Sequence, residues 1–219
     1  MATIKVHGVC VSAPVRRVLL CLYEKGLDFE LVPVDYRTAE NKKEPFLSLN
    51  PFGQLPAFEH GDVIMFESRA INYYLAQEYA DKGTQLIRTS GKEMAEMLVW
   101  MEVESLHFGS VFRIFSRERV FNPLKGLPTD TAVLEESKAK LSNILDVYEA
   151  RLGRSKYLGG DTFTLADLHH IPTIASMMKA TDWKELLDSD SRPHVRAWIA
   201  DITARPAWAK VLALKKDQK

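Results

Sequence analysis

The hydrophobic period of this chain changes once, near residue 80, and that switch limits the folds open to it. Before it, short strand-like runs take turns with helix-spaced apolar residues; after it, the helical spacing alone persists. Ile4–His7 reads as a strand and Val15–Lys25 as a helix stopped by Gly26, a residue suited to the left-handed backbone of a helix end. Phe29–Val34 gives a second strand, and Lys42–Leu49 a short helical stretch halted by Pro51. Ala57–Glu59 and Val63–Phe66 are strands joined by His60-Gly61-Asp62, a tight-turn sequence, and Glu67–Tyr79 is a helix. The order βαβαββα predicts a small α/β layer with a mixed sheet.

Beyond it, Asp81–Gly91 is polar and reads as a linker. Lys92–Arg119 carries Met94, Leu98, Met101, Phe108, Phe112 and Phe115 near a helical period, and Asn122–Pro128 breaks the pattern. Thr131–Leu152 is a second long amphipathic helix, with Leu134, Leu141, Leu145, Tyr148 and Leu152 on its apolar face and Gly153 as its stop. Thr164-Leu165-Ala166-Asp167 has the form of a capping box, and Trp183, Trp198 and Trp208 are expected core anchors. The predicted division is an α/β domain over 1–80, a linker over 81–91 and an all-helical domain over 92–219. With 46% apolar and 26% charged residues, the chain has material for two packed cores.

The charges exclude some roles. Lys plus Arg and Asp plus Glu both number 29, without a basic block, so a nucleic-acid partner is not expected. No apolar run approaches the ~18 residues a membrane span needs, so none is expected. Met1–Val6 leads into strand-like sequence without a charged-then-apolar leader, and a cytoplasmic location is the expectation. The two cysteines, Cys10 and Cys21, suit a reduced compartment, with Cys21 on an apolar helix face as an inert thiol. The only close histidine pair, His169-His170, is adjacent and points two ways, so no metal site is expected.

Two segments suggest a ligand clamp. In Asn50-Pro51-Phe52-Gly53-Gln54-Leu55-Pro56-Ala57-Phe58 a proline stands at the mouth of a strand, where a cis Leu55-Pro56 bond is the first candidate geometry. Glu67-Ser68 opens a helix, whose spare N–H groups and positive dipole end seat a carboxylate. Together they fit a small, extended, charged peptide. The loop Gly8–Pro14 links the first strand to the first helix, a usual place for ligands in α/β layers. Ser12 in that loop competes with an ordinary role as the helix N-cap.

Ser12 with Arg16-Arg17-Val18-Leu19, Glu40–Pro45, Asn50–Ala57, Phe66–Ile71, Thr164–Asp167 and Arg205-Pro206-Ala207-Trp208 resembles the glutathione S-transferases, specifically the plant phi class. That resemblance implies a thioredoxin-like N-terminal domain, an all-helical C-terminal domain, glutathione as co-substrate and no permanently bound cofactor. Leu55 would offer its backbone to the cysteinyl unit, and Glu67 and Ser68 would hold the γ-glutamyl end. Asn41, Lys42 and Gln54 would contact the backbone and glycyl carboxylate. Ser12 would be catalytic, stabilising the glutathione thiolate. An apolar electrophile is expected between the domains, near Val11, Phe108, Phe112 and Phe115, and the assembly is expected to be a homodimer. The same thiolate would serve glutathione-peroxidase chemistry. Asn41 stands where the family often has His, which implies an altered hold on the glycyl end, and Ala13-Pro14 follows Ser12 where another small residue is common. Rival readings are a non-catalytic carrier of flavonoid-like ligands and a thiol transferase dependent on Cys10.

Overall fold

A computed structural model describes residues 3–214. The chain divides into two units, one running to Ile87 and resuming at Ala204, the other spanning Arg88–Thr203.

The first unit follows the predicted order: β1 (Ile4–Gly8), α1 (Ala13–Lys25), β2 (Glu30–Pro33), α2 (Phe46–Leu49), β3 (Ala57–His60), β4 (Val63–Phe66) and α3 (Ser68–Glu78). The sheet runs β2-β1-β3-β4, with β1 parallel to β2 and the other pairs antiparallel. Ile4 and Val6 of β1 are buried, as are Val18, Leu19 and Leu22 of α1 and Ile71 and Leu75 of α3. Helix α1 begins with Pro14 in its first turn, where a missing N–H costs nothing. It ends as predicted at Gly26, φ 65°, with Leu27 N–H reaching Leu22 O and Gly26 N–H reaching Tyr23 O, a Schellman pair.

Three expectations need correction. The helix predicted over Lys42–Leu49 is two pieces, a 3₁₀ turn at Glu40–Lys42 and α2, because Pro45 stands between them without the N–H that would continue the first into the second. The predicted linker is anchored: Leu86 and Ile87 are buried, Thr84 N–H donates to Glu24 O, and a side chain at Gly83 would strike Glu24 O at 2.3 Å. The last helix, α12 (Pro206–Leu214), belongs to the first unit rather than to the helical one. It packs on α1, and Arg205 grips the buried Glu24 carboxylate with two bonds of 2.6 and 2.7 Å.

The second unit contains α4 (Gly91–Val103), α5 (Gly109–Ser116), α6 (Asn122–Leu124), α7 (Thr131–Leu152), α8 (Leu165–Leu168), α9 (Ile171–Met177), α10 (Thr181–Leu187) and α11 (Pro193–Thr203). The single helix predicted over Lys92–Arg119 is interrupted by π turns at Glu104–Phe108 and Arg117–Phe121. Each wide turn shifts the phase of the buried face. Met97 is fully buried while Leu98, placed on the predicted stripe, is exposed. By contrast, α7 has its predicted bounds and its five predicted core residues are buried. The capping box forms at the head of α8, and Trp183, Trp198 and Trp208 are all buried in their respective units. Among the described residues no helix is long and apolar enough to cross a membrane.

Candidate functional site

Strand register gathers the predicted site at one end of the sheet. His7 of β1 pairs with Ala57 of β3, and Ala57 pairs with Phe66 of β4. The end of β1, the start of β3 and the end of β4 therefore share a row. The chain continues from that row into the Ser12 loop, backwards into Leu55-Pro56, and onward into Glu67-Ser68. Leu55–Pro56 is cis, as expected. The β3 ladder begins at Ala57, and among the described residues no loop hydrogen bond engages Leu55. Its peptide groups are thus open to an extended ligand, in the manner of strand addition.

Ser12 occupies the N-cap position of α1 with extended backbone, φ −72° and ψ 124°, yet its side chain makes no cap hydrogen bond. Its backbone is fixed instead: Ser12 N–H donates to Val9 O at 3.0 Å, and Ser12 O accepts from Arg16 N–H at 3.0 Å. The buried Arg16 adds a short bond from Nε to Cys10 O, bracing the loop from behind. The hydroxyl that could have been spent on the helix end is left for other work.

At the head of α3, Glu67 has φ 68° and ψ 100°, outside the regions a non-glycine residue favours. A conformation of that kind costs about 1–3 kcal/mol and persists where surrounding structure enforces it, often at a ligand site. Ser68, at the first position of α3, is buried and accepts a 2.8 Å hydrogen bond from the buried Arg17.

Asn41 and Lys42 are tied to the neighbouring loop. Asn41 Nδ2 donates to Gly53 O at 2.7 Å, and Lys42 Nζ to Phe52 O at 3.0 Å. Gly53 permits this approach: its φ is +56°, and a Cβ there would lie 2.5 Å from Asn41 O. Asn50, which sequence reasoning did not single out as a contact, organises the loop by donating to Gln54 O at 2.7 Å and accepting from Phe52 N–H. Gln54 is exposed next to Leu55. Arg16 and Arg17 were the other residues missed; their signal was a pair of arginines inside an apolar helix face, between Val15 and Val18.

The remaining candidates divide. Val11 is half exposed on the Ser12 loop, at 51%. Phe108 and Phe115 are given to the core of the helical unit, Phe108 against Tyr148 and His170 and Phe115 edge-on to Trp183 at 4.9 Å, so neither presents an open face there. Phe112 is partly exposed beside Phe115. Cys10 is 2% exposed, and burial pushes its thiol up despite the nearby Arg16 guanidinium. That is the reverse of the lowered value expected for an activated thiol at a helix start. Among the described residues no cluster of His, Cys, Asp and Glu could hold a metal ion.

Known proteins resemble this chain over most of its length. Residues 2–77 match the family model for the glutathione S-transferase N-terminal domain, and residues 103–206 that for its C-terminal domain. The chain is 56% identical over 212 residues to a glutathione S-transferase of Hyoscyamus muticus, covering 97% of this chain and 99% of that protein. It is 55% identical over 216 residues to glutathione S-transferase PARB of Nicotiana tabacum, covering 99% of both. Glutathione transferase F7 of Populus trichocarpa superposes with a TM-score of 0.92 at 43% identity, covering 97% of this chain and 99% of that one. The maize glutathione S-transferase I, solved with an atrazine glutathione conjugate, gives 0.89 at 37% identity over the full length of both.

Proposed function

This chain belongs to the glutathione S-transferase family, in its plant phi class, and from that premise we propose that Ser12 activates glutathione held by the clamp around Pro56. The protein is a glutathione transferase that uses glutathione as co-substrate. In the proposed assignment the cysteinyl unit pairs with the open Leu55 backbone. The γ-glutamyl end meets Glu67, Ser68 and the N-terminus of α3. Gln54 and Lys42 take the ligand's backbone and glycyl carboxylate. Asn41 serves this end mainly by clamping Gly53, which is how a neutral amide replaces the more usual His.

The observation that carries the assignment is the uncommitted Ser12 hydroxyl at the N-cap of α1. A free thiol is only a few per cent ionised at neutral pH. Lowering its pKa by about two units takes ~2.7 kcal/mol. One hydrogen bond to a charged acceptor contributes about 1.5–3 kcal/mol and the helix end about 0.3–1 more. The two suffice without a base partner. The thiol proton leaves to solvent, the sulfur forms a bond to the electrophilic carbon, and the leaving group departs with its electron pair. With a chlorinated nitroarene, Ser12→Ala is expected to lower kcat/KM about 10- to 100-fold. It should also raise the pH at which the rate is half-maximal. Equal rates in wild type and Ser12→Ala would remove Ser12 from the mechanism.

Within the first unit the apolar co-substrate is assigned to the exposed Val11 on the Ser12 loop; in the second unit, Phe112 is the expected residue that keeps exposed surface. Homodimer formation and a cytoplasmic location complete the proposal. The first rests on family likeness and is tested by sedimentation; the second rests on two cysteines outside any disulfide.

A further inference from the structure

We propose that Arg17 is the positioning residue of the γ-glutamyl seat: its buried guanidinium orients the Ser68 hydroxyl so that the hydroxyl hydrogen is presented to the ligand's carboxylate. The inference rests on the glutathione reading above and adds to it a residue that does not itself need to touch the ligand.

A hydroxyl carries one hydrogen and two lone pairs, whereas a guanidinium carries only hydrogens. The 2.8 Å contact between Arg17 Nη1 and Ser68 Oγ therefore occupies a Ser68 lone pair, and the Ser68 hydrogen is left to donate elsewhere. Arg17 and Ser68 are 2% and 4% exposed, so this charge-assisted bond is shielded from salt and competing water. Arg17 is in turn gripped by the same helix that bears Ser68. One turn along α3, the fully buried Asn72 donates from Nδ2 to Arg17 O at 3.0 Å. One turn along α1, the Cys21 thiol reaches Asn72 O at 3.8 Å. The two helices are locked residue to residue, and the helix that begins beside Ser12 supplies the group that sets the binding serine.

A cation buried behind the seat also complements the charge of an incoming carboxylate. Lysine would keep that charge but not the planar fork that holds Ser68 and the surrounding geometry together. Arg17 thus contributes to substrate affinity through another residue, separately from the ionisation of sulfur, which falls to Ser12.

Calorimetric titration of the full-length protein tests this with two ligands. One is glutathione; the other is the analogue whose first residue is 4-aminobutyrate, lacking the α-carboxylate. Arg17→Met and Ser68→Ala are each expected to weaken glutathione binding about tenfold. The double variant should be no weaker than the weaker single to within about twofold, because one interaction cannot be lost twice. Arg17→Lys should fall between wild type and Arg17→Met. With the analogue, the Arg17→Met penalty should shrink below about twofold, a change that general loosening of the fold would not produce. The proposal is overturned if Arg17→Met binds glutathione within about twofold of wild type, if its penalty persists with the analogue, or if the two penalties multiply. Should Arg17→Met fail to fold, Arg17→Lys with Ser68→Ala completes the same cycle. Binding is read without turnover and Ser12 is untouched, so failure here leaves the Ser12 mechanism standing. Absence of glutathione binding by the wild type would instead remove the functional reading itself.

Discussion

Asp167 offers the most demanding test of how the helical unit is held together. Its carboxylate is fully buried and accepts from Leu158 N–H at 2.9 Å, Thr164 N–H at 3.0 Å and Trp198 Nε1–H at 3.0 Å, with the Thr164 hydroxyl at 3.3 Å. Replacement by alanine strands three N–H donors that cannot turn away, at about 1–3 kcal/mol each. Against this stands the burial of a charge, which pushes the Asp167 carboxyl from 3.8 to about 6 in spite of those bonds. At neutral pH that shift corresponds to roughly 3 kcal/mol of penalty that the alanine variant no longer bears. The expected net loss is therefore about 3 kcal/mol. The sign of the pH dependence follows. A carboxyl raised in the folded state binds its proton more readily there than in the unfolded chain. Its contribution is fully favourable below 3.8, declines as pH rises towards about 6, and is then constant. Between pH 5 and pH 7 the wild type should lose about 1 kcal/mol that Asp167→Asn, which cannot titrate, does not lose. Urea unfolding at both pH values measures the difference. Trp fluorescence is a suitable probe, since Trp100, Trp183 and Trp198 all lie in the second unit. A loss below about 1 kcal/mol for Asp167→Ala, or a wild-type-to-Asn gap unchanged between the two pH values, would refute the account.

Other substitutions probe the first unit. Arg205→Ala removes both bonds to the buried Glu24 carboxylate and should destabilise that unit by about 2–4 kcal/mol, read as a lower urea midpoint. Gly53→Ala places a Cβ against Asn41 O and asks alanine to hold a left-handed backbone; the glutathione KM should rise several-fold while kcat changes little. Cys10→Ser should leave conjugation within about twofold of wild type, since the buried, raised thiol is poorly suited to attack. A collapse of activity there would revive the thiol-transferase alternative.

What the sequence made readable was local chemistry with a strong signature. Gly26 stopped α1, Gly153 followed the end of α7, Thr164 and Asp167 capped α8, and Pro56 marked the cis bond at the strand mouth. Less readable was whatever depended on a distant partner. Arg205 and Trp208 carry no local sign that α12 will return to α1. Two arginines in a helix suggest solvent until Cys10 O and Ser68 Oγ are found opposite them. The π turns escaped because a widened turn preserves helical composition while changing only its phase. For the site, the string assigned to glutathione was legible through its prolines and helix starts; the residues bracing it were not.

The return of α12 to the first unit sets an order of construction. In the order of synthesis the strand that leads to Ser12 precedes Arg205 and Trp208, with the whole of the second unit between them. The unit to which glutathione is assigned therefore waits for more than a hundred intervening residues before Glu24 meets its partner. A chain that has passed Ser68 but not reached Ala204 holds every residue assigned to glutathione, yet lacks the helix that packs on α1. The unit begun first is therefore closed only after the second unit has been made.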